Sequence, residues 1–180
     1  GAVSAVSIAD GLALTSPYDY VGGTYPGTGG DCGATLAAAG NCLIEVQYNP
    51  SALGATSDTI VVNYDDGAVA QILNHGLQGT AAAPASLTIT ETDPYDYGSI
   101  AVGATGTHTF TLNNAGGVAA TAMAETGIAA PFTYLGGSYP GTGGTCATTL
   151  APAGSCDIVV EFAPGATVLL TDTIDMGYFN

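Results

Sequence analysis

The sequence contains no lysine, no arginine and no tryptophan. Its 15 acidic residues are therefore unopposed, the formal charge is −15, and only His75 and His108 can become cationic near neutral pH. An ordinary soluble domain is about a quarter charged, with both signs present. Here 8% of the residues are charged and all carry one sign. No ion pair with Lys or Arg can form. Nucleic-acid binding needs cations that displace counterions from phosphates, so it is effectively excluded, as is attraction to an anionic membrane leaflet. Two readings of the missing cations stand side by side: compositional drift in a repeat protein, or a surface that resists trypsin-like proteases and does not adhere to polyanions.

Other absences narrow the field further. No apolar run approaches the roughly 18 residues of a membrane span, so membrane insertion is not expected. No charged n-region, apolar h-region or cleavage signature opens the sequence, and an export signal would lie outside this stretch. There is no Gly-x-Ser-x-Gly elbow and no phosphate loop. The glycine-rich segment Gly22–Gly30 is followed by neither a Lys nor a helix opening, which argues against a nucleotide role. His75 and His108 are isolated from each other and from Cys, which argues against a metal centre or a triad. The chain is expected not to be an enzyme. Much of the 47% hydrophobic content is Ala, so a core has to be built from Ile, Val, Leu, Tyr and Phe in thin layers.

What is present is ordered. The four cysteines form two pairs, Cys32 with Cys42 and Cys146 with Cys156, each separated by ten positions. Structural metal sites bring ligands two to four residues apart, often with His. Equal, wider spacing with none left over reads instead as two local disulfides, and hence as an oxidising, extracellular compartment.

An internal repeat organises the chain. Gly22–Gly30 reads GGTYPGTGG, and Gly136–Gly144, 114 residues later, reads GGSYPGTGG. The same offset places Cys32 on Cys146, Cys42 on Cys156, Pro50 on Pro164, Asp58-Thr59-Ile60 on Asp172-Thr173-Ile174 and Tyr64 on Tyr178. Over 1–66 against 115–180, 26 of 66 positions are identical. The phase is unusual, because 67–180 makes one full period while 1–66 matches its later part. The expected division is a partial unit at 1–81 lacking its N-terminal strands and a unit at 82–180 lacking its last strand. The stretch is then either an excerpt of a longer array or a subunit whose missing strands come from a neighbour, since an incomplete sheet exposes unpaired backbone that a donated strand can fill.

Within the repeat the local signal is alternation. Ile44, Val46 and Tyr48 share one face of Cys42–Tyr48, as Ile158, Val160 and Phe162 do in Cys156–Phe162. Leu87–Thr90, His108–Leu112 and Thr59–Tyr64 read as further strands. Ala68–Leu73 follows Asp65-Asp66-Gly67, a hairpin-type turn. Gly, Pro, Ser and Asn separate these runs, and no amphipathic helix of useful length occurs. Short strands between turns predict an all-β chain of tandem immunoglobulin-like β-sandwich repeats, about 114 residues each.

Three features in order then carry a resemblance: Ser99–Gly103 leading to Thr107–Asn114, Cys146 through Leu150-Ala151-Pro152-Ala153-Gly154-Ser155 to Cys156, and Ile158–Pro164. Together they resemble the Hydin-like immunoglobulin-type domains, specifically the bacterial branch found in choice-of-anchor D surface proteins. The resemblance covers Ser86–Asn180 and, in part, Pro17–Tyr64. It implies seven-stranded sandwiches in long extracellular arrays that act as stalks, adhesins or binding modules, and it carries over no catalytic residue. The absence of Lys and Arg departs from that family's usual composition.

Two sets of residues are candidates for chemistry. Asp65 with Asp66, Asp93 with Asp96, and Asp172 with Asp175 could supply the oxygens that calcium prefers, although none has the spacing of a known calcium loop; solvated turn acids are the alternative, and no other cofactor is expected. Tyr25, Tyr95, Tyr97 and Tyr139 fall in turn-rich segments, where Tyr binds carbohydrate or packs against its own chain. The function expected is a structural one: part of an extracellular filament, sheath or stalk whose partners are copies of itself or neighbouring repeats. The rival is an adhesin or carbohydrate-binding module that meets glycans or a host surface through Tyr-rich loops.

Overall fold

The computed structural model describes residues 3–180, and among these it contains strands and turns but no helix. The chain divides into two compact units, Gly1–Ala81 and Ala82–Asn180. Every strand pairing is antiparallel.

The first unit holds β1 (Ala5–Leu12), β2 (Tyr18–Tyr20), β3 (Thr35–Leu36), β4 (Val46–Tyr48), β5 (Gly54–Asp65) and β6 (Ala70–Ala81). One sheet runs β3-β1-β5-β6 and a second ribbon pairs β2 with β4. The alternating run before Asp65-Asp66-Gly67 and the run after it form one hairpin, paired from Gly54↔Ala81 to Asp65↔Ala70. Its turn is held by Asp66, whose Oδ1 accepts the N–H groups of Ala68 (2.9 Å) and Val69 (3.0 Å) and whose Oδ2 accepts Gln71 Nε2 (2.9 Å). Strand β6 forms the sheet edge, with Ile72 66% and Leu73 57% exposed. Apolar burial in this unit is confined to Tyr18, Tyr20, Cys32 and Val62 among the described residues.

The second unit holds β7 (Leu87–Ile89), β8 (Gly106–Asn114), β9 (Thr121–Glu125), β10 (Phe132–Tyr134), β11 (Ser155–Phe162) and β12 (Met176–Phe179). Its main sheet runs β10-β11-β8-β7, and β12 pairs with β9. Period-two patterning on β8 sends Phe110, Leu112 and Asn114 inward. They meet Ile158 and Val160 of β11, Met123 and Tyr134 in a contiguous core where Ile158 is fully buried. Asn114 is the polar member of that core. Its Oδ1 accepts the N–H groups of Ser86 and Gly116, each at 3.0 Å, and its Nδ2 donates to the carbonyls of Val118 (2.9 Å) and Leu150 (3.1 Å). A buried amide is tolerated only when so satisfied.

The two units share internal geometry at the sequence offset. Tyr18 faces Tyr48 as Phe132 faces Phe162, and Tyr20 faces Val46 as Tyr134 faces Val160. Val21 N–H donates to Glu45 O and Glu45 N–H to Pro26 O, as Leu135 donates to Val159 O and Val159 to Pro140 O. Asp58 Oδ2 accepts the Thr15 N–H just as Asp172 Oδ2 accepts that of Ala129, both at 2.6 Å. One difference concerns the expected strand Cys42–Tyr48, of which only Val46–Tyr48 is laddered, while its counterpart is a strand throughout Ser155–Phe162. The reason is the partner: β11 has β8 on its second edge, and among the described residues β4 pairs only with β2.

Candidate binding groove in the second unit

Six aromatic side chains define the most chemically distinctive surface. The loop between β7 and β8 carries Tyr95 and Tyr97, whose alternation turns both rings onto the sheet. Tyr95 stacks on His108 at 3.7 Å between ring centroids and meets Phe110 edge-on at 5.4 Å. Tyr97 lies 5.5 Å from Phe162 and 5.9 Å from Phe132, and its hydroxyl donates to Val160 O at 3.3 Å. Such ring pairs contribute about 0.5–1.5 kcal/mol each beyond area burial. Burial, followed by the neighbouring Tyr95, pushes the Tyr97 phenol up to about 12. His108 Nε2 is buried in this stack without a hydrogen-bond partner among the described residues.

Beside these rings lies an open groove of about 570 Å³, floored by Leu87, Ile89, Phe110, Ile174 and Met176 and bordered by Glu91, Asp93 and Asp172. That volume is in the range of small-ligand clefts. Three carboxylates and no cation make it a poor receptacle for an anion. A neutral ligand with an apolar face, such as a sugar ring, fits its chemistry better.

The other Tyr candidates are placed differently. Tyr25 packs edge-on against Tyr20 at 5.5 Å, and Tyr139 packs against Tyr134 in the same way at the same distance. The hydroxyls of Tyr25 and Tyr139 are buried, so these residues stiffen their loops. Beside them, Tyr20 donates to Asp10 Oδ1 at 2.9 Å and Tyr134 to Glu125 Oε2 at 3.3 Å. Burial first, and then these carboxylates, raise the pKa of both phenols well above the ordinary value. Sequence alignment alone does not pair Asp10 with Glu125, because the offset between them is 115. They are equivalent in space: Asp10 lies opposite Val62 and Glu125 opposite Met176, with a register shift in β1 absorbing the extra residue.

The calcium candidates are not brought together. Asp65 and Asp66 cap the β5–β6 turn, with Asp65 Oδ1 accepting the Gly67 N–H at 2.7 Å, while Asp96 closes its own turn onto Gly98 N–H at 2.7 Å. Bonds from Val69, Ala68 and Gln71 hold the Asp66 carboxyl below the ordinary range. Asp93 borders the groove. No cluster of three or more His, Cys, Asp or Glu side chains suited to a metal occurs among the described residues. Both cysteine pairs are disulfide-bonded, with Cα atoms 4.9 Å apart in Cys32–Cys42 and 4.8 Å apart in Cys146–Cys156. His108 lies on the strand expected over His108–Leu112, and its place under Tyr95 is set by the fold. The shared period two of Tyr95-x-Tyr97 and His108-x-Phe110 was the available signal.

No family model matches the chain, and no curated protein matches it. Among solved structures it is similar to a protein of unknown function from Porphyromonas gingivalis W83, at 12% identity and a TM-score of 0.28, over 90% of this chain and 70% of that one.

Proposed function

We propose that this chain is a non-catalytic structural component of an extracellular filament, sheath or surface stalk, assembled from tandem immunoglobulin-like sandwiches of the choice-of-anchor D type and extended by strand sharing. The observation that supports the reading is the recurrence of a disulfide-stapled segment, 114 residues apart, with matching turn bonds and a matching two-strand pairing, β2 with β4 and β10 with β11. A binding protein needs one good site. A load-bearing array needs the same stiff module many times, and a short local disulfide in each module resists local unravelling without tying modules to one another. Two disulfides, and no helix long and apolar enough to cross a membrane among the described residues, are compatible with an extracellular setting. Uniform negative charge adds mutual repulsion that opposes unspecific clumping.

Electron microscopy of the purified chain tests the reading. Ordered filaments with an axial repeat of one or two modules are the expected result. A monodisperse particle at all concentrations would sink it.

The groove beside Tyr95 and Tyr97 favours a second reading, a carbohydrate-binding adhesin. Glycan-array binding abolished by Tyr95→Ala, in a chain that forms no filaments, would make that reading the better one.

A further inference from the structure

Strand β6 is a sheet edge without the devices that usually blunt one. It is 12 residues long, whereas no other strand at the border of a sheet exceeds five among the described residues. Edges are ordinarily kept short, charged, bulged or interrupted by Pro, because a row of unpaired N–H and C=O groups invites another strand. Ala70–Ala81 (AQILNHGLQGTA) contains no Asp, Glu or Pro. Its ladder with β5 runs from end to end without a register shift. Ile72 and Leu73, neighbours on opposite faces of the strand, are both exposed.

The open side can be assigned residue by residue. Asp66 N–H donates to Val69 O at the turn, and bonded and non-bonded pairs alternate from there. Gln71, Leu73, His75, Leu77 and Gly79 therefore spend their backbone groups on β5. Thr59, opposite Gly76, fits this phase, since its N–H turns to Asp58 Oδ1 at 2.7 Å. The N–H and C=O of Ala70, Ile72, Asn74, Gly76, Gln78 and Thr80 face outward, and none takes a partner elsewhere among the described residues. In the second unit β7 and β8 lie against β11, the counterpart of β4, and not against β9 and β12, the counterparts of β1 and β5. Strands that preceded β1 in the same way would leave the edge of β6 open.

Charge and register select a second copy as the occupant. In a chain of −15 without Lys or Arg, two copies meet at least cost where neither presents a carboxylate, and 67–90 contains none. Asp58, opposite Leu77 on β5, is engaged by the N–H groups of Thr15 and Thr59. The outward residues all occupy even-numbered positions, so an antiparallel two-fold pairing has to join even to even. Only the register centred on His75 engages all six: Ala70 with Thr80, Ile72 with Gln78 and Asn74 with Gly76. The same register sets the exposed Leu73 against Leu77 of the other copy.

We propose that β6 is a homodimer interface, paired antiparallel with β6 of a second copy about a two-fold axis at His75, which joins two four-stranded sheets into one. The contact uses the same surface on both copies and closes on itself. It is separate from the strand sharing proposed above and does not rest on it.

Sedimentation of the full chain over a concentration series, with residue-resolved hydrogen exchange at both ends of the series, tests the contact. A reversible monomer–dimer equilibrium is expected, with amide protection rising on dimerisation at Ile72, Asn74, Gly76 and Gln78. Asn74→Pro removes an outward N–H at an edge position, where Pro is tolerated, and should raise the dimer dissociation constant at least about tenfold. Cysteine variants fix the register independently, with no native free thiol to compete. Mild oxidation should link two copies of His75→Cys, because position 75 faces itself in a non-hydrogen-bonded pair with Cα atoms about 4.5 Å apart. It should not link Leu73→Cys, whose two copies lie four positions apart along the ladder, roughly 13 Å. A monomer at every concentration, a dimer indifferent to Asn74→Pro, or equal linking of the two cysteine variants would each overturn the proposal. Filaments whose β6 amides stay unprotected would overturn it and leave the filament reading standing. Linked dimers of His75→Cys in a preparation without filaments would uphold the edge contact and remove the filament reading.

Discussion

Asn114 shows how much one residue can carry. Its side chain holds the backbone at Ser86, Gly116, Val118 and Leu150 together from a position that is 1% exposed. Truncation orphans several buried backbone groups at once, and each orphan costs about 1–3 kcal/mol. Asn114→Ala is therefore expected to lower stability by about 3 kcal/mol in denaturant unfolding, while Asn113→Ala, on the half-buried opposite face, changes it by less than about 0.5 kcal/mol. Similar losses for the two would show that Asn114 is not a hub. The tyrosines give a second prediction at this scale. Tyr20, Tyr25, Tyr97, Tyr134 and Tyr139 all have phenols raised above the ordinary value of 10.0, chiefly by burial. A raised folded pKa means the unfolded chain releases its proton first, so stability is intact below pH 10 and falls as pH rises through about 12, the Tyr97 value. Ultraviolet titration should show these five tyrosines ionising late, together with loss of structure. A single transition near pH 10 involving all ten would contradict the burial argument.

Strands and loops fail in other ways. Gly141 has φ +93°, and a Cβ there would collide with the carbonyl oxygen of Val159. Gly141→Ala forces the loop away from β11 and is expected to cost about 1–3 kcal/mol. Gly137, also at positive φ but with open space beside it, isolates the strain from the collision: Gly137→Ala should cost less, and equal Tm shifts would remove the collision from the account. The disulfides belong to this scale as well. Each joins cysteines ten positions apart. Replacing Cys146 and Cys156 by Ser together should destabilise the second unit by roughly 2–3 kcal/mol, through greater freedom of the unfolded loop. Thermal unfolding measures the shift, and an unchanged Tm would mean that the bond is redundant with the Cys146 N–H to Asp157 O contact.

For the molecule as a whole, unopposed charge is the controlling fact. With −15 and no Lys or Arg, every long-range electrostatic interaction among formal charges is repulsive at pH 7. Screening should therefore stabilise the fold, as the Debye length drops from ~30 Å to ~8 Å between about 0.01 and 0.15 M ionic strength. A Tm that rises by several degrees over that interval is expected by calorimetry. A flat or falling Tm would imply that the carboxylates are too dispersed, or too well bonded to backbone N–H groups as Asp58 and Asp66 are, to feel one another.

Composition, period and spacing were enough to read the all-β class, the cysteine pairs and the β5–β6 hairpin. These depend on what a strand or turn requires of its own residues: alternation, a glycine after two acids, no surplus cysteine. Three things depended on where distant strands meet. Val46–Tyr48 is laddered on one edge only, although its alternation matches that of β11, because edge pairing is a property of the neighbour. Asp10 and Glu125 serve the same tyrosine contact at a broken offset, because a bulge shifts register without leaving a mark in composition. Tyr95 lies on His108, and Asn114 anchors four segments, because a side chain's partners are chosen by the packed sheet. Local pattern specifies which residues can form a strand, whereas the free energy of burying backbone and rings is realised only between elements far apart in the chain.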